Sequence, residues 1–223
     1  MKLSKQQFEE LLKKNRLILS LIGMSNIGKT YWSKKLQDIG FRPINCDDLI
    51  ETKLVPILKE FGYSGINDVS RWMGQPYDDR FIANQQKYLS LEKEAMKNIF
   101  IQIENEKKEN IVVDTTGSVI HTGKDICANL TRCSLVVYIK ATKNIKEEMF
   151  QQYIKEPKPV VFGDVFNLKK NEKASDALER SYRKLLDIRS ALYTEYADVI
   201  ILREIIKKNM NINQFISLIK QLL

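Results

Sequence analysis

At 223 residues with a 43% apolar share, the chain can bury the core of one α/β domain, and that share argues against intrinsic disorder. Its formal net charge of +8 suits anionic small molecules. The lysines alternate with glutamates, as in Glu92-Lys93-Glu94 and Glu104 to Glu109, and no basic cluster interleaved with aromatics marks a nucleic-acid groove, so no nucleic-acid partner is expected.

No apolar stretch approaches the roughly 20 residues of a membrane-spanning helix. Met1 to Lys5 leads into no signal-like segment, so a soluble, cytoplasmic protein without a membrane partner is expected. Cys46, Cys127 and Cys133 are spaced for neither a zinc site nor a disulfide framework and are expected as reduced thiols. His121 is expected at the surface or at a helix start, without chemistry.

Taken in order, Ser4-Lys5-Gln6-Gln7 reads as a capping box opening a short helix with Phe8, Leu11 and Leu12 on one side. Residues 1–15 are thus an N-terminal helical extension to a single domain over 16–223. Leu17 to Ile22 suits a buried strand. It runs into Gly23-Met24-Ser25-Asn26-Ile27-Gly28-Lys29-Thr30, which reads G-x-x-x-x-G-K-[ST], the phosphate-binding P-loop, and a helix begins at Lys29. Glycines let the backbone wrap an anion closely, and successive N–H groups with the helix N-terminus face the phosphates. Gly23, Ser25, Asn26, Ile27, Gly28, Lys29 and Thr30 are therefore the candidate nucleotide-binding residues. Lys29 would reach the β- and γ-phosphates, and the Thr30 hydroxyl would ligate Mg²⁺. Nothing in the loop reads the base, so ATP is the default nucleotide.

After Gly40, Phe41 to Asn45 makes a second strand, and a helix runs from Asp47 to about Glu60. Phe61 to Gly65 is a loop, and Asn67 or Asp68 could cap a short helix ending at Gly74. Pro76 to Arg80 breaks the chain before a long helix over Phe81 to Ile103. Ile111 to Asp114 is a buried strand ending in an acid, followed by Thr115 to Ser118. A helix around Thr122 to Leu130, a strand over Leu135 to Ile139 and a helix over Asn144 to Ile154 come next. Residues 156–173 lack periodicity and hold Pro157 and Pro159, the mark of a lid or mobile loop. Ala174 to Tyr196 returns to helix, Asp198 to Leu202 is the last strand, and Asn213 to Leu223 a closing amphipathic helix.

Five apolar strands separated by helices predict a five-stranded parallel sheet with helices on both faces, an α/β fold of the P-loop NTPase and nucleoside-monophosphate-kinase type. The site should lie at the carboxyl ends of the strands, where the P-loop, Asn45 with Asp47, and Asp114 all fall.

With these motifs placed, the chain from about Arg16 onward resembles shikimate kinase and its neighbours among small P-loop kinases. Asn45-Cys46-Asp47-Asp48-Leu49-Ile50-Glu51 is similar to that family's D-x-D-x-x-I-E. Thr115-Thr116-Gly117-Ser118 stands where the family has a Gly-Gly-Gly turn. Arg189-Ser190-Ala191-Leu192-Tyr193-Thr194-Glu195-Tyr196-Ala197-Asp198 is similar to R-x-P-L-Y-x-E-x-A-D. The resemblance implies that Asp47 bonds the acceptor hydroxyl and serves catalysis with Lys29. It implies too that Gly117 lines the acceptor and Arg189 grips its carboxylate. A carboxylate opposite a P-loop suits that role, although Asp47 or Asp48 could instead cap the helix, the role expected of Asp48.

The departures are as informative. Asn45 replaces the first aspartate, and Asp114, in a Walker-B-like position, is the candidate to help Thr30 hold Mg²⁺. The family's Phe-Arg-x-x-Glu appears as Tyr88-Leu89-Ser90-Leu91-Glu92, and leucine cannot grip a carboxylate. The lid's Arg-Pro-Leu-Leu corresponds to Lys158-Pro159-Val160-Val161, making Lys158 the lid's nucleotide contact. A substrate-binding insertion over about 52–90 brings Arg80 as a possible replacement for the lost arginine. The expectation is ATP- and Mg²⁺-dependent phosphoryl transfer to a hydroxyl of a small, anionic metabolite, with poor use of shikimate. The alternative is a nucleotide-binding regulatory module with a degenerate kinase site. Oligomeric state is left open.

Overall fold

A computed structural model describes residues 2–106, 108–207 and 209–223, the side chains of residues 66 and 67 apart. The strands β1 (Ile18–Ile22), β2 (Phe41–Asn45), β3 (Asn110–Asp114), β4 (Leu135–Lys140) and β5 (Val199–Leu202) form one sheet in the order β2-β3-β1-β4-β5. Every pairing is parallel. β3 is buried throughout and β4 nearly so, as expected of unbroken apolar runs covered on both faces. β2 lies at an edge, where Pro43, with no N–H to donate, is admitted.

The chain leaves β1 toward β2 in one direction along the sheet and makes every later crossover in the other, so right-handed connections place helices on both faces. On one face α2 (Lys29–Gln37) packs against α9 (Ile212–Gln221), which also meets α1 (Lys5–Lys13). There Trp32 stacks on Phe215 with centroids 4.0 Å apart, a pair worth ~0.5–1.5 kcal/mol beyond its buried area. On the other face lie α5 (Phe81–Asn105), α6 (Lys124–Cys133) and α8 (Ala174–Tyr196). The Ser4–Gln7 capping box forms as expected at α1, with Phe8 buried. Asn110 begins β3 one residue earlier than the apolar run suggests. Its side chain accepts from Leu17 N at 2.9 Å and donates to the Leu12 carbonyl at 3.2 Å, tying the exit of α1 to the sheet.

Residues 52–90 contain the rest of α3 (Cys46–Glu60), α4 (Gly65–Met73) and the start of α5. The N-cap of α4 is Ser64, earlier than Asn67 or Asp68; Asp68 lies inside the helix and accepts from Ser64 N at 2.7 Å, while the Asn67 side chain lies outside the described residues. A 3-10 turn over Val119–His121 precedes α6, so that helix starts after Gly123, later than the periodicity indicates. Residues 156–173, between α7 (Lys143–Lys155) and α8, carry no regular structure, yet they are not a free loop. Val160, Val161 and Phe162 are buried, and Gln85 of α5 accepts from both Phe162 N and Gly163 N at 3.1 Å. Among the described residues no helix is long and apolar enough to cross a membrane.

Candidate active site

The P-loop leaves β1 at Gly23, where φ is +143° and an added Cβ would stand 2.7 Å from the Ile139 carbonyl of β4. Only glycine fits there. Gly28, at φ +106°, has open space around it and supplies the backbone conformation that starts α2. Lys29, buried, donates from Nζ to the carbonyls of Gly23 and Met24 at 3.0 and 2.9 Å. Burial pulls its pKa down, and the charges of Asp114 and Asp47 push back.

Parallel register sets the acids beside this loop. Asp114 ends β3 opposite Leu21 on one side and Asn45 on the other. It is buried, which raises its pKa against the opposing pull of Lys29 and a hydrogen bond from Thr30. Among the described residues its Oδ2, buried, has no hydrogen-bond partner. Asn45 is the N-cap of α3 and accepts from Asp47 N at 2.9 Å. The cap expected of Asp48 is therefore made by Asn45, and Asp48 stands exposed. Asp47, freed from capping, is half-buried and accepts from the Tyr88 hydroxyl at 3.3 Å. Burial raises its pKa, with Lys29 opposing.

Arg189 comes from α8, buried, and its guanidinium has two protein partners. Nη2 donates to the Val161 carbonyl at 2.7 Å, and Nε to His121 Nε2 at 3.2 Å. His121, expected at the surface or at a helix start, is thus half-buried at the end of the 3-10 turn and holds Arg189. Burial and the Arg189 charge hold its pKa down at about 4, so it accepts as a neutral imidazole. Gly117 sits between the two halves: an added Cβ would lie 2.7 Å from Ser25 Oγ and 3.6 Å from Arg189 Nη1.

One cleft, about 470 Å³, collects most of these groups: Ser25, Asn26, Gly28, Lys29 and Thr30 of the P-loop, then Asp47, Gly117 and Arg189, with Lys158 from residues 156–173. Tyr31, Tyr88, Ser118, Gln152 and Pro159 complete it. Gly23, Ile27 and Asp114 are not on its lining. Gly23 shapes the loop, Ile27 is buried and Asp114 lies behind Thr30. Arg80 is not in the cleft. It donates to the Arg71 carbonyl at 2.9 Å and borders a neighbouring cavity of about 700 Å³ that shares Lys158. Leu89 packs against the core and is likewise not on the lining. Tyr88 lines the cleft, and Glu92, four residues on, is buried on the same face of α5; these are the first and last positions of the segment aligned with Phe-Arg-x-x-Glu, whereas His121 carried no motif.

No protein-family model and no curated protein sequence matches the chain. Among solved structures, shikimate kinase from Acinetobacter baumannii in complex with shikimate is similar at 18% identity, covering 94% of this chain and 92% of that one, with a TM-score of 0.54. Shikimate kinase from Bacteroides thetaiotaomicron is similar at 16% identity, covering 92% of this chain and 97% of that one, with a TM-score of 0.56. Identities this low establish architecture, and with the parallel order β2-β3-β1-β4-β5 the chain has a shikimate kinase-like P-loop α/β fold.

Proposed function

We propose that the protein is a kinase that transfers the γ-phosphoryl group of ATP, with Mg²⁺, to a hydroxyl of a small anionic metabolite in the cytoplasm. The observation that carries this reading is that one cleft is lined by the P-loop together with Asp47 and Arg189. Phosphates on the loop would draw Lys29 from the carbonyls of Gly23 and Met24 that hold it. A third cavity of about 520 Å³, lined by Asn26, Ile27, residues of α7 and residues 203–207, would take the base.

The residues present fit Mg²⁺. The Thr30 hydroxyl and the unpartnered Oδ2 of Asp114 would hold it. Two oxygen ligands suit an ion that keeps several waters and shares phosphate oxygens. When bound, the ion neutralises charge building on the phosphates. Asp47 orients the acceptor hydroxyl toward the γ-phosphate and is placed to take its proton. Arg189 and Lys158 supply cationic partners for an acidic group on the acceptor and for the nucleotide.

The solved relative's acceptor, shikimate, is not the acceptor proposed here. Leu89 brings no guanidinium to the cleft, and Thr116 and Ser118 flank Gly117 in place of glycines. An ADP-release screen over hydroxylated metabolites, shikimate included as the weak case, tests the proposal. Tight nucleotide binding without transfer to any acceptor would overturn it in favour of a nucleotide-binding module, a reading supported by the use of Asn45 as a helix cap.

A further inference from the structure

Glu92 is fully buried in α5 beneath the turn Thr116-Gly117-Ser118. Both its oxygens are engaged: the Thr116 hydroxyl donates to Oε1, and the Ser118 hydroxyl to Oε2 at 2.6 Å. The turn also closes on itself, Ser118 N donating to Thr116 Oγ1 at 3.0 Å. From the far side, the Tyr193 hydroxyl donates to the Gly117 carbonyl at 2.5 Å. Gly117 has no slack between these clamps, since even a methyl group would press on Ser25. Two departures noted separately in the sequence, hydroxyls at 116 and 118 and a leucine at 89, are thereby linked. The hydroxyls satisfy a carboxyl group for which Leu89 offers no partner.

We infer that Glu92 is a positioning residue for the acceptor side of the cleft. It acts through the Thr116 and Ser118 hydroxyls to fix the turn that separates the P-loop from Arg189, and its proton decides which way the Ser118 hydroxyl faces. With Glu92 ionised, both hydroxyls donate to it, and Ser118, on the cleft lining, offers only lone pairs outward. With Glu92 protonated by solvent, its O–H donates to one hydroxyl, and the displaced hydroxyl hydrogen turns to another acceptor, toward the cleft in the case of Ser118. Polarity at the wall then reverses without any movement of backbone.

Burial pushes the Glu92 carboxyl up to about 7, and the two hydroxyls hold it from rising further. The charged and titratable groups facing it are Asp47 and Cys46 from α3, Lys29 from α2, Arg189 and Tyr193 from α8, Cys127 from α6, and Tyr88 on its own helix. The term acceptor side rests on the kinase reading; the positioning does not.

The test is nuclear magnetic resonance on the full chain, isotope-labelled at glutamate carboxyls and glycine amides, without nucleotide or acceptor. The Glu92 resonance, assigned by its loss in Glu92→Gln, should titrate near pH 7. The Gly117 amide should follow the same midpoint and stay flat in Glu92→Gln. Ser118→Ala and Thr116→Val should each move the midpoint upward, and either assigns the resonance if Glu92→Gln fails to fold. Titration at an ordinary glutamate value of about 4.3, or a midpoint indifferent to both hydroxyl deletions, overturns the inference. So does a Gly117 amide that ignores Glu92. No turnover is needed, so this outcome and that of the ADP-release screen are separable.

Discussion

Arg189 reaches from α8 to the backbone carbonyl of Val161, 2.7 Å away, so the guanidinium that faces the cleft also fastens residues 156–173. Its Nε is held at the same time by neutral His121. A planar fork can serve both partners and still present Nη1 to the cleft; an ammonium cannot. Arg189→Lys should therefore behave almost as badly as Arg189→Ala. Both should raise the acceptor KM about tenfold or more while leaving ADP affinity within about twofold, since losing a charge-assisted bond costs ~1.5–3 kcal/mol. Limited proteolysis should cut within residues 156–173 faster in both. A Lys variant with wild-type kinetics would separate Arg189 from acceptor binding.

Lys29→Ala should reduce ADP release in the presence of acceptor by a factor of about 100 or more, the scale for loss of one transition-state charge contact. The fold should persist, because the Lys29 contacts are to carbonyls of its own loop. Circular dichroism and the turnover assay together check this, and unchanged turnover would end the proposed mechanism.

Asp114→Asn should weaken the Mg²⁺-dependent part of nucleotide binding and spare the rest. Calorimetric titration with ADP in excess chelator should match wild type, whereas the gain on adding Mg²⁺ should shrink about tenfold, the size associated with a lost ion contact. Equal gains in both proteins would place the ion elsewhere.

Glu92 also sets a pH dependence of stability. Its folded pKa of about 7 lies above the unfolded value, so the native state binds the extra proton between them. The stabilising contribution is complete below the unfolded pKa and is lost as pH rises through the folded one. Thermal unfolding should thus fall in temperature between about pH 5 and pH 8, and Glu92→Gln should flatten that fall. A parallel fall in wild type and variant would assign the effect to other groups.

The two P-loop glycines should respond unequally to alanine. Gly28→Ala should cost ~1–3 kcal/mol for its positive φ alone. Gly23→Ala adds a contact of 2.7 Å with the Ile139 carbonyl, a backbone atom of β4 that cannot swing aside, so its cost should be larger by about 1 kcal/mol or more. Urea unfolding midpoints decide the order.

The fold was legible because its signals are local. Unbroken apolar runs at β3 and β4, a P-loop between β1 and α2, and helical periodicity each report on a few neighbouring residues, and a parallel sheet follows from their alternation. The ends of strands placed Lys29, Thr30, Asp47 and Asp114 near one another for the same reason, since parallel register brings those ends together. What the sequence could not decide was which polar side chains face one another across the fold. Asn45 caps a helix, His121 holds Arg189, Glu92 takes the hydroxyls of Thr116 and Ser118, and Arg80 turns to Arg71. The Asn45 cap is local, to an N–H two residues on, but each of the others depends on where α4, α5, α8 and the 3-10 turn settle. Burial then obliges every polar group to find the nearest partner, whatever its distance along the chain.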